Sequence, residues 1–165
     1  MKKVFQTVID KNRGNCMQAV IATLFQKELE EVPNFIEYDG YFKPMYEFIQ
    51  KNGYDYHGCK HNKNYSQLCT PKHGCFEKTK WSRYSVITPK KLYKEEGVNG
   101  LFYAGVLSPK FFSWCHQTTH AVLIDKDYNI VFDPSPMYQD IVQYPLANIL
   151  GYNGVIDVLI INPKK

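Results

Sequence analysis

No run of about 18 apolar residues occurs in the chain, so the sequence predicts no membrane-spanning helix. The stretch from Met1 to Asn12 lacks the unbroken apolar core of a secretory signal, because Gln6, Thr7 and Asp10 interrupt it. Internal repeats and low-complexity tracts are missing, which excludes solenoid and collagen-like architectures. Cys-x-x-Cys pairs are missing too. The five cysteines, Cys16, Cys59, Cys69, Cys75 and Cys115, are odd in number and unevenly spread. That pattern argues against a disulfide framework and predicts a reducing, cytoplasmic setting. Thiols in such a setting are available as nucleophiles or metal ligands.

Acidic residues are scarce in one region. Between Lys51 and Lys94 only Asp55 and Glu77 oppose a run of lysines and Arg83, although the net charge of the whole chain is only +4. Tyr54, Tyr56, Tyr65, Trp81 and Tyr84 are interleaved with these cations. Basic and aromatic residues together raise a polyanion or nucleic acid as a partner. No nucleic-acid motif accompanies them, and a solvated basic face is the plainer reading. The chain is rich in aromatics, with 13 Tyr and 10 Phe. Tyrosine combines contact area with a polar tip, which suits the lining of a groove.

The length of 165 residues fits one domain. Residues 16 to 27 are apolar around most of a helical circumference and predict a buried helix. Leu29 to Pro33 reads as a short turn stopped by proline. Pro44 to Asn52, followed by Gly53, is a second bracketed helix. Residues 54 to 95 have weak periodicity and read as an irregular basic insertion, with strands near 54 to 58 and 83 to 87. Strands follow at 101 to 107, 120 to 124, 130 to 133 and 155 to 161, the second and third joined by a polar hairpin turn. Helices first and antiparallel strands afterwards predict an α+β fold, a buried N-terminal helix packed on an antiparallel sheet.

Cys16 falls in the first turn of the first helix. There the backbone dipole and unpaired N–H groups favour thiolate, and the same groups can hold an oxyanion. The competing reading is a small buried core residue. A thiol nucleophile needs a base and the base needs an orienting partner. His120 opens one hairpin strand and Asp133 closes the other. A register in which paired numbers sum to about 253 sets them opposite each other, and a slip of one residue separates them onto opposite faces. Cys115, beside His116, is a second thiol near the same base, in a predicted loop with Trp114. A separate group, His57, Cys59, His61, Cys69, His73 and Cys75, holds enough soft ligands for zinc, with Cys59, Cys69, His73 and Cys75 the candidate set. Its spacing follows no standard finger. Otherwise these are thiols and histidines in a basic loop.

Gly14-Asn15-Cys16 at the start of an apolar helix, Thr119-His120-Ala121-Val122-Leu123, and Val131-Phe132-Asp133-Pro134 together resemble the papain-like cysteine peptidase superfamily. The likeness is nearest to bacteriocin-leader-cleaving peptidases and small bacteriophage papain-like proteins, whose strand-to-Ser-Pro segment is similar to Gly105 to Pro109. It covers residues 4 to 35 and 101 to 137. The resemblance implies a papain-like fold, Cys16 as nucleophile, His120 as base and Asp133 as its orienter. It also implies a side-chain oxyanion donor ahead of the cysteine. Gln6, at a longer separation than is usual in the family, and Asn15 are the candidates. The implied activity is cleavage of a peptide, isopeptide or related amide bond in a peptide or protein substrate, without a cofactor. The alternative is a non-catalytic module, or a host-directed inhibitor, binding through residues 54 to 95.

Overall fold

Residues 16 to 24 carry an apolar side chain at almost every turn, and the helix they form is enclosed accordingly. The computed structural model describes residues 1–68, 85–86, 92–113 and 118–165; of residues 57–60, 66–68 and 85–86 it describes the backbone. Helix α1 spans Cys16–Leu24. Ala19, Val20, Ile21 and Ala22 are fully buried. It ends three residues earlier than the apolar pattern predicts. Gln26 turns left-handed at φ 56°. The N–H groups of Gln26 and Lys27 then donate back to the carbonyls of Thr23 and Ala22, at 3.2 and 2.9 Å. This closure satisfies carbonyls the helix would otherwise leave open. Helix α2 spans Phe42–Lys51 and buries Met45 and Ile49.

The strands are β1 (Tyr54–His61), β2 (Ser85–Val86), β3 (Phe102–Leu107), β4 (Thr119–Ile124), β5 (Ile130–Phe132) and β6 (Val155–Pro163). Two short α-helices, α3 (Lys63–Leu68) and α4 (Ala147–Leu150), also occur among the described residues. The sheet order is β2-β1-β6-β3-β4-β5. Every pairing is antiparallel except the two-residue contact of β1 with β2. The fold is therefore α+β. Among the described residues no helix is long and apolar enough to cross a membrane.

Both faces of the central strands are covered. Ala121, Leu123, Leu159 and Ile161 pack with α1, Phe35, Met45 and Ile49. On the other face, Ala104, Val106, Val122 and Ile160 pack with Leu92, Tyr128 and Tyr144. Double burial explains why β3, β4 and β6 read as apolar runs rather than alternating ones.

The expectation of an irregular insertion at 54 to 95 is corrected at its start. β1 is an eight-residue strand inside the sheet. It pairs with β6 from Tyr54↔Pro163 to His61↔Asp157, around a bulge at Tyr56 and Gly58. Its polar sequence has little period of its own, and its partner lies far along the chain. Local pattern therefore marks a strand only near 54 to 58 and misses its extension to His61, because neighbouring strands set strand preference. Residues 69–84 and 87–91 lie outside the described residues.

Candidate active site

The turn before α1 sets where Cys16 points. The carboxylate of Asp10 accepts from the N–H groups of Asn12 and Arg13, both at 2.8 Å. The chain then doubles back, and the Asn15 N–H reaches the Val8 carbonyl at 3.2 Å. A Cβ on Gly14 would sit 2.7 Å from the Asp10 carbonyl oxygen, so only glycine fits there without a backbone shift. Asn15 is the helix N-cap, yet its side chain caps nothing in the helix. Its Oδ1 instead accepts from the N–H groups of Thr7 and Val8, at 3.0 and 2.9 Å. Its amide nitrogen donates to Thr7 and Gln18, each at 3.1 Å. The first-turn N–H groups of α1 are thereby left to the site.

Cys16 is half-buried at that helix start. β5 ends at Phe132, and its ladder with β4 goes no further than Leu123↔Phe132. Beyond that point the edge of β4 is open to Cys16. Burial pushes the Cys16 thiol up, but hydrogen bonds with His120 and from the N–H groups of Ala121 and Met17 bring it below its ordinary value.

His120 is held on two sides. Its Nε2 bonds Asp133 Oδ1 at 2.7 Å, which leaves Nδ1 for Cys16. The Tyr138 ring stands edge-on to the imidazole, with centroids 5.2 Å apart. Tyr138 is fixed in turn, because its hydroxyl accepts from the Lys110 N–H at 3.1 Å and bonds the Ser108 hydroxyl at 3.3 Å. Burial disfavours a charged His120, yet the bonds to Asp133 and Cys16 outweigh it and raise the imidazole pKa to about 9. A lowered thiol beside a raised imidazole favours the thiolate–imidazolium pair at neutral pH.

The Asp133 carboxylate takes part in three hydrogen bonds. Besides His120, the Ser135 N–H donates to Oδ1 at 2.7 Å and the Tyr144 hydroxyl donates to Oδ2 at 2.5 Å. Burial and the adjoining carboxylate push the Tyr144 hydroxyl far up, so it stays a donor. These donors spread the charge of a carboxylate that is itself buried.

Cys16, His120 and Gln6 line one cavity of about 180 Å³. Gln6 is buried; its amide donates to the Val8 carbonyl at 3.0 Å and its own N–H to the Pro134 carbonyl at 2.9 Å. The Asp10 turn absorbs its long separation from Cys16. Asn15 does not line the cavity, and both its amide groups are engaged elsewhere. The structure therefore turns the Asn15 oxyanion expectation into a positioning role. Cys115, with Trp114 and His116, lies outside the described residues, as do Cys69, His73 and Cys75. Of Cys59 only the backbone, within β1, is described.

Three residues of the site escaped the sequence reading. Tyr138 and Tyr144 carry no local signal in a chain so rich in tyrosine. Asp157 also lines the cavity, and it had one: it is the lone charge within the apolar run Val155 to Ile161. No family model, curated protein or solved structure matches the chain.

Proposed function

We propose that the chain is a thiol hydrolase of papain-like type that cleaves a peptide, isopeptide or related amide bond. The observation that carries the reading is the connected set Cys16, His120 and Asp133, the first two lining one cavity, with thiol and imidazole shifted toward the ion pair. In this mechanism the Cys16 sulfur attacks the substrate carbonyl carbon. The oxygen takes the negative charge, facing the first-turn N–H groups of α1 and the Gln6 amide. His120, charged beforehand, gives its proton to the leaving nitrogen as the C–N bond breaks, and a thioester remains on Cys16. His120, now neutral, takes a proton from water, whose oxygen attacks the thioester and releases acid and thiolate. Asp133 keeps the imidazole aligned and stabilises its charge throughout.

Hydrolysis of a denatured peptide library, read by mass spectrometry, tests the reading. New termini should appear with the native chain and vanish with Cys16→Ala. Cleavage that survives Cys16→Ala, or none by a protein whose Cys16 is also unreactive, rejects it. The second outcome would leave a binding module as the remaining reading of the same residues.

A further inference from the structure

Asp157 is the acid that the triad does not use. It stands on β6 between apolar neighbours, Val155 and Ile156 before it and Val158 and Leu159 after it, all buried. A carboxylate in such a strand is costly unless something compensates its charge. Its side chain crosses to β3 and lies over Gly105, its partner in the ladder. A Cβ on Gly105 would overlap Oδ1, so glycine at that position opens the space the carboxylate occupies. From there Asp157 borders the cavity that also holds Cys16 and His120.

The compensation visible within the chain is small. The Gly105 N–H donates one hydrogen bond. Among the described residues no ion pair reaches Asp157. His61 is opposite it on β1, but burial lowers the pKa of that imidazole and disfavours its charged form. The charge of His120 is committed to Asp133 and Cys16. Burial raises the Asp157 carboxyl to about 6, so near neutral pH it is ionised at a cost that an arriving cation would relieve. The cavity, about 180 Å³, is smaller than the roughly 300–1,000 Å³ of sites for whole small molecules and suits one long side chain. Met17, Ile36 and Leu159 on its walls can take up a methylene stem.

We infer that Asp157 selects the substrate by pairing with a cationic side chain, lysyl or arginyl, laid in the cavity beside Cys16. The inference rests on the thiol-hydrolase reading of the same site. Asp157 is a specificity residue here, since it touches the substrate away from the reacting bond.

Reversible peptide aldehydes test it, because Cys16 sulfur adds to the aldehyde carbon and the oxygen takes the proton. The probes are acetyl-Leu-Leu-norleucinal and three analogues with arginine at each position in turn. Each is measured by the concentration that halves iodoacetamide labelling of Cys16. One arginyl aldehyde should protect at a concentration about tenfold or more below the neutral one, as a buried ion pair allows. Asp157→Asn should bring that ratio close to unity. Gly105→Ala, which displaces the carboxylate without removing it, should shrink the ratio as well. Arginyl aldehydes no better than the neutral one, or a preference that survives Asp157→Asn, overturns the inference and leaves the hydrolase reading intact. A Cys16 that labels near pH 7 no faster than in the unfolded chain removes the reading and the inference together.

Discussion

His120 Nε2 and Asp133 Oδ1 are 2.7 Å apart, although the ladder between their strands ends before it reaches either residue. Ile124 pairs with Ile130, but Leu123 pairs with Phe132, so a bulge at Val131 shifts the register. Continuing the shifted register sets Asp133 across from Val122, on the face of His120 and one diagonal step away. Diagonal neighbours lie within reach of long side chains. Without the bulge Asp133 would fall across from Ala121, on the opposite face; the extra residue moves it by one place and so onto the face of His120.

Asp133→Asn keeps the shape and removes the charge. His120 then loses the partner that holds its pKa up, and Cys16 loses part of its imidazolium. The midpoint of Cys16 alkylation against pH should rise toward the ordinary thiol value of about 8.5. Site-resolved peptide mass spectrometry separates Cys16 from the other thiols. An unmoved midpoint would show that Asp133 does not tune the pair.

Tyr144→Phe leaves Asp133 Oδ2 without its hydroxyl donor. Loss of a hydrogen bond to a buried charged group should cost about 1–3 kcal/mol in urea denaturation.

Gly14→Ala sets a Cβ against backbone, 2.7 Å from the Asp10 carbonyl oxygen, where no flexible side chain can give way. The turn must move, at a cost of about 1–3 kcal/mol, typical of overpacking. Because that turn aims Cys16, alkylation at neutral pH should slow as well. A chain of unchanged stability would contradict the close approach.

Asp157 gives a pH dependence of definite sign. Its folded pKa of about 6 exceeds its ordinary value of 3.8, so the folded state binds the proton more tightly than the unfolded state. Its contribution to stability is greatest below the ordinary value and is lost as pH rises through about 6. Asp157→Asn removes that loss. At pH 7.5 the variant should be more stable than the native chain by about 1–2 kcal/mol, after allowance for the opening of the side chain to the cavity. Near pH 4 the difference should fade. Urea denaturation at the two pH values measures both.

Much of this site was legible in local pattern. The apolar run after Cys16 marked a buried helix. The hairpin around Asp125 to Asn129 marked β4 and β5, and with them the neighbourhood of His120 and Asp133. The parts that were not legible depend on contacts distant in sequence. The strand near 54 to 58 was legible, but the extension of β1 to His61 is recognisable only through β6. The pairing of His120 with Asp133 depends on a bulge that the turn sequence does not specify. Tyr144 matters because an irregular return brings it beneath Asp133. Asp157 is a lone charge in an apolar strand, a signal the sequence reading passed over, and its place beside Cys16 depends on how β6 and β3 align over Gly105. Asn15 looked like a donor for the site until its bonds to Thr7, Val8 and Gln18 showed its amide occupied.

The central claim is that Cys16 is an activated thiolate paired with His120. The rate of iodoacetamide alkylation at Cys16, followed residue by residue across pH, tests it most directly. The account predicts a rate already near its plateau at pH 7, well below the ordinary thiol midpoint of about 8.5, and a fall in that rate with His120→Ala. A single midpoint at or above the ordinary value, unchanged by His120→Ala, would contradict it.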